Sequence, residues 1–569
     1  MKIALTPTAA LLSAALLLGG CASLTALQPA APRQPITINL VALNDFHGNL
    51  EPSKFTYTDA NGQKVTLQAG GIDAVAAAVN AWRQQDRDLL LVGAGDLVGA
   101  SPALSSMWAD EPTIHALNLV GLNFSSVGNH EFDSGRMELL RQQHGGCVSP
   151  RPAKACKFAP DFKGAQFTYM VSNVVDAKTG KPFLPAWHIA DVKGVKIAFL
   201  GAVVRGAADL VLPSGIEGLS FEDEADSINK VLPAARAAGA TVFVVLIHEG
   251  GQTKERFDQP DCQHLEGPIV DIAKRLDPAI RLVVSGHTHK GYQCKSNGRF
   301  ITQAETAGHV LSRIALSVDP ATRTLQDVAV KNVIVKPGDY PSVPAVSAYL
   351  ATVKARSDAA LQQPVARVAV RSMTRELSAA GESALGDLVA DAVLDAAAPY
   401  GAQIGFMNTA GMRKDFDVGA DLRATFGQAQ IVLPFGNTIV LMDLTGAQLY
   451  DLLEHQWERE KVDVNHSMLQ VSNGFAYRWD GTQPRGARVI RGSMTLNGQP
   501  IDEKKLYRVA ANNFLAEGGD GFPTFREAAN SRDTGIRDID AFTAYLQKRE
   551  QAGKPAGFEK PQGRFERVK

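Results

Sequence analysis

Asp45 with His47, Asp96, Asn129 with His130 and Asp133, His248, and His287 with His289 each close an apolar run of the chain. All are residue types that bind metal or move protons. The runs read ITINLVALND, LLLVGAGD, FSSVGNHEFD, TVFVVLIHEGG and RLVVSGHTH. In Asp45-Phe46-His47 and His287-Thr288-His289 the polar residues are two apart, so at the end of an extended strand both lean to one side and the middle residue leans away. A set of imidazoles, carboxylates and one amide oxygen suits Zn, Mn, Fe or Co, whereas Ca prefers oxygen throughout. The seven candidates Asp45, His47, Asp96, Asn129, His248, His287 and His289, with Asp96 shared, suffice for two divalent ions. Ions roughly 3.5–4 Å apart clamp the attacking and leaving oxygens of a phosphoryl displacement. These residues therefore predict a dinuclear hydrolase centre.

The elements that must carry such a centre are short buried strands separated by helical stretches. In βα repeats of this kind the functional groups gather beyond the carboxyl ends of the strands, in one crevice. The other seven of the 12 histidines, His115, His144, His188, His264, His309, His455 and His466, sit in no comparable context and are assigned to surface or packing. At 569 residues the chain exceeds what one hydrophobic core supports, so two or more domains are expected. A net charge of −1, with 45% hydrophobic and 21% charged residues, fits a soluble globular protein. No basic tract invites a nucleic-acid polymer, and no heptad run points to an obligate protein partner.

Met1-Lys2 and the apolar stretch up to Leu18-Gly19-Gly20-Cys21 are too short for a spanning helix and resemble a bacterial lipoprotein signal, residues 1–20, with Cys21 as the lipidated residue. Residues 21–36, rich in Ala and Pro, then read as the lipidated cysteine and a flexible tether, which anchors the protein to the membrane in the envelope outside the cytoplasm, at the outer membrane or in the periplasm. The four remaining cysteines are an even number for an oxidising compartment. Three pairings are open, of which Cys147 with Cys156 and Cys262 with Cys294 are local in sequence, and the second would brace the His287/His289 loop.

Residues 37–338 read as the metal domain, 339–363 as a linker helix after the Pro-rich KPGDYPSVP, and 364–569 as a second domain without a histidine cluster. Three segments of that domain suit a ligand pocket. Asn408 and Arg413 flank a small-residue turn, and Phe435 and Phe514 each sit beside Gly-rich loops, the second followed by Asp520. Two aromatic faces can sandwich a base, at about 1–3 kcal/mol per stacked base. Asp520 and the asparagines suit sugar hydroxyls and base edges. Arg371 and Arg375, a helical turn apart if their stretch is helical, can join Arg413 on phosphate.

Taken in order, NDFHGNLEP, GDLVGASP, SVGNHEFD, IHEGG, GHTH, NTAGMR, LPFGNTI and NFLAEGGDGF resemble the bacterial 5′-nucleotidase family of the calcineurin-like metallophosphoesterases, over about residues 37 to 530. The resemblance implies an α/β fold, with a four-layer α/β/β/α metallophosphatase domain and a separate α/β C-terminal substrate-binding domain. It puts Asp45, His47, Asp96 and His289 on one metal and Asp96, Asn129, His248 and His287 on the other. It makes His130 and Asp133 the catalytic pair, and Arg371, Arg375, Asn408, Arg413, Phe435, Phe514 and Asp520 the substrate set. Where the family often reads Asn-Gly-Gly-Gly-x-Arg, this chain has Asn408-Thr409-Ala410-Gly411-Met412-Arg413, whose side chains are expected to narrow the pocket. The implied activity is hydrolysis of nucleoside 5′-monophosphates by metal-activated water. The same centre also suits a UDP-sugar or a 2′,3′-cyclic nucleotide. A sulfate-ester or thiosulfate hydrolase would leave Phe435 and Phe514 without a base, and the complete ligand set argues against an inactive binding lipoprotein.

Overall fold

The computed structural model describes residues 34–260, 262–457 and 468–569. Cys21, residues 1–33 with the signal and most of the tether, and His466 lie outside the described residues. The first domain contains two six-stranded sheets. One runs Leu325–Ile334, Val310–Val318, Ile36–Leu43, Leu90–Ala94, Phe124–Ser126 and Thr168–Met170 across its width, and the other Gly291–Ser296, Arg299–Ala304, Ile280–Val284, Val242–His248, Val195–Val203 and Trp187–Val192. Strand Ile36–Leu43 shows why its run is apolar throughout. Ile38, Leu40 and Ala42 meet Phe199, Val244 and Leu282 of the facing sheet, while Val41 and Leu43 join the cluster formed with the helices outside. Burial on both faces removes the alternation a half-exposed strand would show. Helix Ile72–Gln85 covers the first sheet, and helices Glu224–Ala237 and Pro268–Arg275 cover the second, giving four layers, α/β/β/α.

All five ligand-bearing runs pair in parallel with a neighbour among them, Leu40 opposite Leu90, Val92 opposite Phe124 and Val244 opposite Leu282. Parallel register brings their carboxyl ends to one edge of the double sheet. Helix Pro344–Leu361 packs on this domain and is part of its outer layer. Val346 and Val353 are buried in the helix-side core, Trp108 donates to Ser357 Oγ at 2.8 Å, and Ser347 donates to Asp73 at 2.7 Å. The second domain is built on a five-stranded sheet in the order Leu469–Val471, Ile404–Asn408, Leu506–Asn512, Thr438–Thr445 and Ala529–Arg537. Helices Ala384–Ala397 and Asp538–Gln551 pack together with it. Disulfides join Cys147 to Cys156 and Cys262 to Cys294, the two sequence-local pairs.

Candidate active site

Beyond the strand ends the seven predicted ligands converge. His248 Nε2 lies 2.9 Å from Asp96 Oδ2, His47 Nε2 3.6 Å from the same oxygen, His289 Nε2 3.3 Å from Asp45 Oδ1 and 3.1 Å from His47 Nε2, and His287 Nδ1 3.1 Å from Asn129 Oδ1. Asp45 and His248 are fully buried beneath the others. Five of the seven, Asp45, His47, Asp96, His287 and His289, have left-handed backbone, with φ between 46° and 75°. Asp, Asn and His tolerate this region better than other side-chain-bearing residues, and it recurs at functional sites. The turns leave no room nearby: a Cβ on Gly128 would stand 2.1 Å from Asp96 Oδ1, so the residue before Asn129 must be glycine.

The donor chemistry fits divalent metal. His47 Nδ1 faces the Gly99 carbonyl at 2.9 Å and His248 Nδ1 faces the Ala94 carbonyl at 2.8 Å. A carbonyl only accepts, so each ring carries its proton on Nδ1 and turns the Nε2 lone pair into the centre. His248 Nε2 is buried, with Asp96 Oδ2 2.9 Å away. Burial holds His47 well below the ordinary imidazole range, and burial with the nearby His248 pushes His287 down to about 3. Burial opposes charge on His248 too, but Asp96 and Asp45 outweigh it and carry it up to about 10. A proton held between two carboxylates is what a divalent ion displaces on binding.

His130 sits beside this set. Its Nδ1 lies 2.9 Å from both oxygens of Asp133, its backbone N–H donates to Asp96 Oδ1 at 2.9 Å, and its ring meets His47 edge-on at 5.1 Å. Burial disfavours its charge, yet Asp133 and Asp96 together hold it above the ordinary histidine value. Residues that the motifs did not single out fix the turns. Glu131, buried, accepts the N–H groups of Asp96 at 2.9 Å and Leu97 at 2.8 Å. Asn44 donates to Asp45 Oδ2 at 2.7 Å and accepts the Ala304 N–H at 2.7 Å. Under the His287-Thr288-His289 turn, Tyr292 OH bonds Ser285 Oγ at 2.8 Å and Gln303 Oε1 at 3.0 Å, and Thr288 donates to the Gly251 carbonyl at 2.7 Å. Removing the Tyr292 hydroxyl by Tyr292→Phe is expected to weaken metal affinity about 10–100-fold, as for other supports of ligand orientation; titration of the metal-free protein with Zn or Mn checks it, and unchanged affinity would assign Tyr292 to packing alone.

Opposite the metal residues, across a cavity of about 1750 Å³, stands the wall supplied by the second domain. Arg413, Asn408, Phe435, Phe514, Asp520 and Arg375 all line it. Thr425 caps helix Phe426–Val432 in a reciprocal box with Gln428, and the Val432 carbonyl accepts the Arg413 N–H at 2.9 Å. Pro434 then turns the chain out of the helix and puts Phe435 on the cavity wall. Phe435 stacks on His130 across the domain boundary, with centroids 6.0 Å apart, and the Arg413 guanidinium lies 6.0 Å from its centroid. Arg413 makes no ion pair among the described residues; burial lowers its pKa, partly offset by Asp133 and Asp96. Phe514 rests on Gly519, where a Cβ would come within 2.4 Å of the ring. The Asn408 amide is spent inside the protein. It donates to Asp520 Oδ2 at 2.7 Å and accepts from Asn512 at 2.9 Å, so it positions Asp520.

One expectation fails and one changes role. Arg371 is exposed and outside the cavity lining; its carbonyl accepts the Val418 N–H at 2.9 Å. The stretch is extended, with strand Ser372–Met373 between the two arginines, so they do not share the face that helical spacing would give. Arg375 reaches the cavity, where its guanidinium donates to the Met412 carbonyl at 2.6 Å and so supports the Arg413 loop.

Comparison with known proteins agrees with this layout. Residues 38–291 match the calcineurin-like phosphoesterase family and 360–527 the 5′-nucleotidase C-terminal domain. The chain is 28% identical over 518 residues to the endonuclease YhcR of Bacillus subtilis, covering 91% of this chain but only 40% of that longer protein. It is 24% identical to a 5′-nucleotidase of Vibrio cholerae over 575 residues, covering 94% of this chain and 95% of that one. Among solved structures, the 5′-nucleotidase precursor of Thermus thermophilus superposes with a TM-score of 0.73 at 25% identity, over 94% of this chain and all of that one. With the catalytic and the C-terminal domains both present, the chain belongs to the 5′-nucleotidase family of the calcineurin-like phosphoesterases and is a phosphoesterase enzyme.

Proposed function

We propose that the enzyme hydrolyses nucleoside 5′-monophosphates to nucleoside and phosphate, with two divalent ions of the Zn, Mn, Fe or Co type, outside the cytoplasm and anchored through lipidated Cys21. The observation that carries the substrate class is one cavity lined on one side by the metal residues and on the other by Arg413, Phe435, Phe514 and Asp520. Asp45, His47, Asp96 and His289 would hold one ion, and Asp96, Asn129, His248 and His287 the other. When bound, the ions supply an activated water and neutralise phosphate charge. Arg413 adds a fixed positive charge against the phosphate oxygens, which gain charge in the transition state. His130, oriented and kept protonated by Asp133, donates from Nε2 to the phosphate or leaving oxygen. Phe514 and Phe435 offer stacking faces, and Asp520, held by Asn408, accepts from the sugar.

The cavity exceeds the 300–1,000 Å³ of ordinary ligand pockets, which favours a nucleoside diphosphate sugar as the second reading. Phosphate release from AMP, GMP, CMP, UMP, UDP-glucose, 2′,3′-cyclic AMP and an aryl phosphate separates the two. Rapid chelator-sensitive hydrolysis of the monophosphates is expected, and activity confined to the aryl phosphate would remove the base pocket from the proposal. Phe514→Ala is expected to raise KM for the monophosphates about 10–100-fold, the loss of one stacking face. An unchanged KM would leave Phe514 a packing residue.

A further inference from the structure

Outside the set of metal ligands, one trio of side chains has the geometry of a nucleophile with its own base. Ser53 Oγ lies 2.7 Å from His309 Nε2, and His309 Nδ1 lies 2.8 Å from Glu305 Oε2. Ser53 opens strand Ser53–Thr58, Glu305 follows strand Arg299–Ala304, and His309 immediately precedes strand Val310–Val318. The Glu305 carboxylate accepts, and it also takes the Thr306 N–H at 2.7 Å. With Nδ1–H donated there, Nε2 presents its lone pair to the Ser53 hydroxyl, the tautomer a general base needs. The His309 ring is 5% exposed and lies nearly parallel to Phe55, with centroids 5.1 Å apart at 28°. Its backbone N–H donates to the Thr306 carbonyl and its carbonyl accepts the Val335 N–H, so the base is held in place on several sides.

Access and charge also fit. Ser53 is part-exposed, and His309, Thr306 and Ala307 line the interdomain cavity. The 14-residue helix Ile72–Gln85 begins against the residue before Ser53: a Cβ on its N-cap Gly71 would stand 2.6 Å from the Pro52 nitrogen. The positive end of a helix favours negative charge developing close to it. None of the three groups takes part in the phosphoester chemistry above. A nucleophile, a base in hydrogen-bond reach and a third group orienting the base are the parts of covalent acyl transfer, whatever the fold that holds them.

We propose that Ser53, His309 and Glu305 form a second, metal-independent hydrolytic site that acts on small carboxylic esters. Ser53 Oγ bonds to the ester carbonyl carbon while its proton passes to His309 Nε2. The carbon–alkoxide bond breaks and the departing alcohol takes that proton. Water then attacks the acyl-serine, gives a proton to His309, and releases the carboxylic acid as Ser53 recovers its own.

A fluorophosphonate tests the site directly, because the same step joins Oγ to phosphorus and expels fluoride. The full-length metal-loaded protein, with and without chelator, is treated with the probe and digested for mass mapping. One label per chain on Ser53 is expected in both conditions, with hydrolysis of p-nitrophenyl acetate lost in step. Ser53→Ala should abolish the label and His309→Ala should slow it about 10²–10⁴-fold, with the thermal unfolding midpoint confirming that each variant is folded. No label on Ser53 of the unmodified protein, or an undiminished rate in folded His309→Ala, would overturn the proposal.

Discussion

Alanine at position 130 is expected to lower kcat for a nucleoside 5′-monophosphate by about 10²–10⁴-fold, the usual loss when a general acid is removed, with metal content unchanged. His130 meets the ligand set through its backbone N–H, which alanine retains, and through its ring, which contacts His47 and has a nitrogen within 4.8 Å of ligand atoms of His47 and Asp96. Its imidazole is aimed by Asp133, and the two carboxylates near it outweigh burial and hold its pKa above the ordinary value, which favours the protonated form. The loss should be largest for substrates with poor leaving groups and should shrink for an aryl phosphate, whose leaving oxygen needs no proton. Metal analysis of the purified variant decides between roles: if metal departs with activity, His130 is a ligand. Asp133→Asn keeps the shape while withdrawing the charge, so it should act in the same direction with a smaller loss.

Asp96→Asn is expected to do more. The carboxylate lies 2.9 Å from His248 Nε2 and 3.6 Å from His47 Nε2, and its other oxygen accepts the His130 N–H at 2.9 Å, so it touches both halves of the ligand set and the catalytic segment together. An amide is neutral and offers a single oxygen. Metal content should fall by at least one ion per chain and turnover by about 10³-fold or more, since a bound ion supplies several kcal/mol of transition-state stabilisation and each 1.36 kcal/mol is tenfold. Elemental analysis and kinetics on the same preparation test this; two ions and near-normal turnover in the variant would remove Asp96 from the bridging position.

The convergence of the seven expected ligands was legible in the sequence because each rests on a local pattern, an apolar run that must be buried and a polar residue at its end. Parallel pairing then carries the ends to one edge without further information. Glu131, Asn44 and Tyr292 left no such trace. They act through hydrogen bonds that form only once the chain is folded, as Glu131 does toward Asp96 and Leu97 and Asn44 toward Ala304, and neither their type nor their spacing distinguishes them from ordinary core residues. In the second domain a wrong period misled. Spacing of four suggested that Arg371 and Arg375 share a helical face, whereas the stretch is extended and only Arg375 enters the cavity. Asn408 was expected among the substrate residues, but its bond to Asp520 depends on two strands meeting, so its supporting role became visible only in the fold.

The left-handed turns at Asp45, His47, Asp96, His287 and His289 restrict how this centre can be re-engineered or drift. Changing a metal preference ordinarily means exchanging one ligating side chain for another. Here the main chain screens the candidates first. Asp, Asn and His adopt that backbone at modest cost, whereas β-branched or bulky side chains are genuine outliers there. The practical alphabet at these five positions is therefore nearly the one already in use, and variation in metal choice should be sought at His248 and Asn129, where the backbone is permissive.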